Sequence, residues 1–138
     1  MSDATREETP QQQVTPFELF GGEPGVRALV DAFYDHMDLD EEFAGIRKLH
    51  PETLASSRDK LYWFLCGWLG GPSHYIERFG HPKLRMRHLP FAIGSAERDA
   101  WLACMRLALV DCAIDPKVSE WLMTQLFGTA DWMRNKAD

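Results

Sequence analysis

Residues 80–91 read Gly80-His81-Pro82-Lys83-Leu84-Arg85-Met86-Arg87-His88-Leu89-Pro90-Phe91. Two prolines frame the stretch. Pro82 suits the first turn of a helix, where its missing N–H would have found no partner. Pro90 ends that helix, because the residue before a proline is pushed out of the α region. The predicted helix runs over about 82–89, only two turns, and so short a helix has little stability of its own in water. Something outside it must hold it. Leu84 and His88 lie four apart and share a face. Lys83, Arg85 and Arg87 add three positive charges within five residues, and Arg78 lies just upstream.

Outward from this stretch the apolar spacing is helical almost throughout, with no alternation of period two. A short helix or turn is predicted around 16–20, ended by Gly21-Gly22. The next helix, about 24–38, carries Val26, Leu29, Val30, Phe33, Tyr34 and Met37 on one face. A short helix over about 40–47 holds Phe43 and Ile46 and is broken at His50-Pro51. A longer one, about 52–69, ends at Gly70-Gly71-Pro72. Residues 72–81 read as a loop. Ser95 reads as the N-cap of a helix over about 96–113, with Glu97 in its first turn. Asp115-Pro116 opens the last helix, about 116–134. The chain is predicted to be all-α, with a flexible polar tail at 1–15 and one domain over 16–138.

Composition narrows the function classes. The chain has 138 residues, 45% of them hydrophobic, and a net charge of −6. That balance argues against a protein whose task is gripping nucleic acid or an anionic membrane. No apolar run reaches the ~18 residues of a membrane span, and the N-terminus lacks the apolar stretch of a secretory signal. Three cysteines (Cys66, Cys104, Cys112) without a C-x-x-C pair read as reduced thiols of a cytoplasmic protein.

A basic cluster beside a histidine on an otherwise apolar face suits an anionic ligand with a metal at its centre. Haem fits, since iron takes an imidazole and propionates take cations. The plainer reading of the same residues is a solvated basic helix with one ordinary histidine. His74, His81 and His88 recur every seven residues, but they lack the i, i+4 or C-x-x-C spacing of common zinc sites. Tyr34 and Trp101 lie on the apolar faces of two different helices, and each has a polar end that needs a partner when buried. They are either core aromatics bonded to backbone or donors aimed at a ligand. His50, at its X-Pro corner, reads on its own as a loop histidine.

The block 80–91, followed by Glu97-Arg98-Asp99-Ala100-Trp101-Leu102, resembles the proximal half of group II truncated haemoglobins. Gly21-Gly22, Gly70-Gly71 and Gly80 match that family's three glycine breaks, and Phe33-Tyr34 matches its distal Phe-Tyr pair. The resemblance covers about residues 16–134. It implies a truncated globin fold, a two-over-two helical sandwich around haem b. His88 is then the proximal iron ligand, and its other ring nitrogen needs an acceptor such as a backbone carbonyl. Tyr34 and Trp101 match the distal hydrogen-bond donors. His50 falls where the family has a polar or aromatic residue over the distal face. Counting back from Gly70-Gly71 puts Leu61 over the haem and Ser57 at the gate, although the connection from His50 to Phe64 is about one residue shorter than the family form. Lys60, Tyr75, Arg85 and Arg87 are candidates for propionate contacts, and Leu61, Phe64, Leu84 and Phe91 for apolar haem walls.

Three functions follow as expectations. The first is a five-coordinate haem protein for dioxygen and other diatomics, with a hydrogen-bonding distal pocket that slows release. The second is a redox enzyme with peroxidase-like or nitric-oxide-converting activity. In it His50 is a proton donor, and a partner reductase supplies electrons. The third is a haem-free helical interaction module.

Overall fold

The computed structural model describes residues 14–136. Helix α1 (Pro16–Leu19) is a single turn closed by a capping box. The Glu18 N–H donates to the Thr15 hydroxyl at 3.2 Å, and the Thr15 N–H donates to the Glu18 carboxylate at 3.0 Å. Thr15, the last residue of the predicted tail, is thus the N-cap of α1, whereas the tail up to residue 13 lies outside the described residues. Gly21 and Gly22 turn the chain with φ of 93° and 68°, a left-handed region that glycine enters without a Cβ clash.

Helix α2 (Gly22–Leu39) buries Val26, Leu29, Val30, Phe33, Tyr34 and Met37, the whole of the predicted stripe. A 3₁₀ turn (Glu41–Phe43) and α3 (Ala44–Arg47) follow, burying Phe43 and Ile46. Next come α4 (Ala55–Trp68), α5 (His74–Phe79) and α6 (Leu84–His88), then α7 (Ser95–Asp111) and α8 (Pro116–Trp132). Helix α2 packs across both α4 and α7, and α8 packs on α7. The pairs α2/α4 and α7/α8 make a two-over-two helical sandwich, whose core is built on Leu29, Phe33, Leu65, Met105 and Leu122. Among the described residues no helix is long and apolar enough to cross a membrane.

Three local readings change. Residues 74–79 form a helix rather than a loop; six residues are too few for a 3.6-residue period to declare itself. Helix α6 starts two residues later than predicted. Lys83 takes a left-handed φ of 47° at its N-cap, which leaves Pro82 outside and five residues inside. Gly94, not Ser95, is the N-cap of α7, because its extended N–H donates to the Glu97 carboxylate at 2.7 Å. Asp115 does hold the N-cap position of α8, but without a side-chain cap bond.

One polar clamp ties the C-terminal ends of α2 and α7. The two ring nitrogens of His36 lie 2.7 Å from the Asp40 carboxylate and 2.6 Å from that of Asp111. Carboxylates only accept, so both bonds form only with the imidazolium. The Asp40 bond is the main cause of a raised His36 pKa, with Asp111 adding to it. A raised pKa gives stability that is complete below the unfolded value of ~6.5 and is lost as pH rises through the folded value. The thermal midpoint is expected to fall over that window, and to fall less in His36→Gln. Equal slopes in the two proteins would refute the clamp.

Candidate functional site

Helix α6 is the anomaly of the fold. It is five residues long and buries none of them. Met86 within it and Leu89 and Phe91 just after it are 56%, 54% and 39% exposed. Two side chains, Arg85 from α6 itself and Asn135 just past the end of α8, staple it to the C-terminal end of α8. The Arg85 guanidinium donates to the carbonyls of Trp132 and Arg134 at 2.7 and 2.9 Å. The Asn135 amide donates to the carbonyls of Phe91 at 2.8 Å and His88 at 3.3 Å, and its oxygen accepts the Ile93 N–H at 3.0 Å. Nothing in the local sequence marks Asn135, because its partners lie more than 40 residues away.

The tautomers separate the five histidines. His88 donates from Nδ1 to the Leu84 carbonyl at 2.7 Å, and His50 donates from Nδ1 to the Ile46 carbonyl at 2.9 Å. A carbonyl only accepts, so the proton sits on Nδ1 and Nε2 of each neutral ring is a bare lone pair. His81 is reversed, since its Nδ1 accepts the Lys83 N–H at 3.1 Å. His74 gives Nε2 to Glu23 at 2.6 Å, and both His36 nitrogens are taken. Only His50 and His88 present a free Nε2, and that is the state in which an imidazole binds a metal.

A separate aromatic group is formed by side chains of α2 and α7. The Phe33 ring lies 4.9 Å from the rings of both Tyr34 and Trp101, and the His50 ring meets Tyr34 edge-on at 5.8 Å. The buried Cys104 thiol donates to the Phe33 carbonyl at 3.1 Å and fixes α7 against α2 at this level. Burial pushes that thiol up to about 12, so it stays protonated. Tyr34 is 5% exposed, yet its hydroxyl has no hydrogen-bond partner among the described residues. The Trp101 indole N–H has none either. A buried hydroxyl without a partner costs about 1–3 kcal/mol. Burial also pushes the Tyr34 pKa up, so the group remains a donor. His50 shifts the other way: burial lowers its pKa, and the charges of Arg47 and His88 add to the effect.

The remaining predicted residues divide. Lys60, Phe64, Tyr75 and Arg87 come together. Tyr75 is buried 6.2 Å from the Phe64 ring and 4.8 Å from Phe79. The Lys60 ammonium lies 5.9 Å over Phe79, and the Arg87 guanidinium 6.0 Å over Tyr75. Arg87 spends only its Nε, on the Pro82 carbonyl at 2.8 Å. Arg85 is not in this group, because its guanidinium serves α8. Phe64 and Leu84 line an open cleft of about 650 Å³ with Trp68, Met86, Trp132 and Met133, a wall that does not include His50, His88, Tyr34 or Trp101. Leu61 packs on the core, and Ser57 is half-buried on α4.

A family model described as bacterial-like globin matches residues 15–135. The chain belongs to this globin family. It is 37% identical over 123 residues to the group 2 truncated hemoglobin YjbI of Bacillus subtilis, covering 89% of this globin and 90% of the relative. Among solved structures it is similar to the group II 2-on-2 hemoglobin of Agrobacterium tumefaciens, at 41% identity and a TM-score of 0.88, covering 94% and 100% of the two chains. The cold-adapted truncated hemoglobin of Pseudoalteromonas haloplanktis gives 39% and 0.86, covering 89% and 99%. The fold is that of the truncated 2-on-2 globins.

The residues fit the haem that this family implies. An imidazole on α6 is locked with Nε2 bare, α2 and α7 carry a buried hydroxyl without a partner among the described residues and an indole N–H, and Met86, Leu89 and Phe91 in and after α6 lie exposed. Among the described residues no group of three or more histidine, cysteine or acidic side chains could hold a metal ion, which sets the zinc reading aside.

Proposed function

We propose that this globin holds haem b through His88 Nε2 and binds dioxygen and related diatomics with slow release. The observation that carries the reading is the unpaired, buried hydroxyl of Tyr34. A donor kept without a partner in a folded core is paired only when a ligand arrives. Haem held on one imidazole supplies an open coordination position for such a ligand. Tyr34 and Trp101 donate to the partial negative charge of that ligand. Phe33 packs between them, and the Cys104 bond holds the α2–α7 spacing. Leu84 O fixes the plane of the His88 ring. Arg87, Lys60 and Tyr75 are the propionate contacts, with Leu61, Phe64, Leu84 and Phe91 as walls and Ser57 beside the entry path.

One solved relative from Bacillus subtilis is described as oxygen-avid, at 37% identity and a TM-score of 0.81. That supports slow release here, and family membership favours this reading over the haem-free interaction module. The three cysteines are free, in keeping with a reducing cytoplasmic setting, where a partner reductase would keep the iron ferrous. The test is an absorption spectrum of the ferric, ferrous and carbon monoxide forms. A Soret band that shifts with carbon monoxide is expected, and a colourless protein that takes up no added haem would refute the proposal.

A further inference from the structure

His50 and His88 share one local device: each follows or ends a single-turn helix, and each gives Nδ1–H to the carbonyl four residues back. For His50 this settles which way the ring can act. Its only proton is committed to Ile46 O, and its Nε2 has no partner among the described residues. The Tyr34 ring lies 5.8 Å away, so the His50 ring stands at the distal group. Burial keeps it neutral. A neutral ring so held has no proton to give a ligand, and this reverses the expectation of a proton donor.

We infer that His50 is a proton acceptor for protic ligands, taking the proton of a neutral H–X molecule on its Nε2 as the anion X⁻ is captured. The class is small weak acids of the hydrogen cyanide and hydrogen peroxide type. The H–X bond breaks heterolytically, its electron pair stays on X, and the new N–H bond turns the imidazole into imidazolium. Nothing is oxidised or reduced in the step. Tyr34 and Trp101 then donate to the anion. The inference rests on the haem reading. It also separates ligand classes, because dioxygen, carbon monoxide and nitric oxide carry no proton and gain nothing from such a base.

The test compares association rates of cyanide with the ferric protein and of carbon monoxide with the ferrous protein. It uses the haem-loaded full chain as wild type, His50→Phe and His50→Gln. Cyanide is almost wholly protonated at neutral pH, so it reports the base. The cyanide-to-carbon monoxide rate ratio is expected to fall on the order of 10²-fold in both variants, the usual scale for a positioned acid or base. Gln conserves size and polarity without basicity, so a ratio kept in either variant overturns the inference while leaving haem binding intact. Nitrogen-15 NMR of the haem-free chain gives a second readout. The Nδ1–H tautomer of His50 is expected, and the Nε2–H tautomer overturns the inference. A wild type that takes up no haem overturns the underlying function instead.

Discussion

Replacing His88 by glycine is expected to abolish haem retention, with the Soret band lost on purification and affinity lowered by more than about 10²-fold. Removing a mere hydrogen-bond partner of a metal ligand costs 10–100-fold, so removing the ligand itself costs more. No other histidine can take its place. Both His36 ring nitrogens and the Nε2 of His74 lie on carboxylates, and His81 is held in the opposite tautomer. His50 has the right tautomer but belongs to the group formed with Tyr34. The fold should survive, because His88 contributes nothing to the buried core and α6 is pinned independently by Arg85 and Asn135. Far-UV circular dichroism of the variant should therefore stay close to wild type, and added imidazole should restore part of the haem spectrum by filling the gap. Haem retained at wild-type affinity would show that His88 is not the ligand.

The same local logic marks where the sequence was legible. The α2 stripe was readable because six buried residues repeat at helical spacing over 18 residues. Tyr34 and Trp101 were readable as paired possibilities, ordinary core or donor, since both have an apolar body and a polar tip. What separates the two is whether the hydroxyl has a partner, and that depends on α4 and α7 being in place. Arg85 shows the limit most clearly. In sequence it is one of three cations around one helix, with nothing to tell it from Arg87. In the fold it meets carbonyls 47 and 49 residues away, while Arg87 stays over Tyr75. The ring orientation of His50 is not legible in the sequence, because it is set by Ile46 O, a contact made by the turn after α3 and not by residue type. Helix α5 was missed because six residues between Ser73 and Gly80 carry too little period.

Tyr34→Phe and Trp101→Phe are expected to speed dioxygen release, each by about tenfold and together by about 10²-fold. The scale follows from 0.5–1.5 kcal/mol per net hydrogen bond, somewhat more where the acceptor carries charge, at about 1.4 kcal/mol per decade. Stopped-flow displacement by carbon monoxide reads the rate directly. Tyr34 adds a test that ordinary packing would not pass. Its hydroxyl is buried and unpaired, so in the haem-free chain it is a cost, and Phe keeps the ring against Phe33 while deleting that cost. Tyr34→Phe should thus stabilise the haem-free protein by roughly 1 kcal/mol while shortening the lifetime of the ligand complex. Trp101→Phe should not share the first effect, because it loses ring area against Phe33 along with the indole N–H. A core tyrosine with a hidden backbone partner would behave in the opposite way, with stability lost and release unchanged. The sign of the stability change therefore decides whether that hydroxyl is kept for a ligand or for the fold.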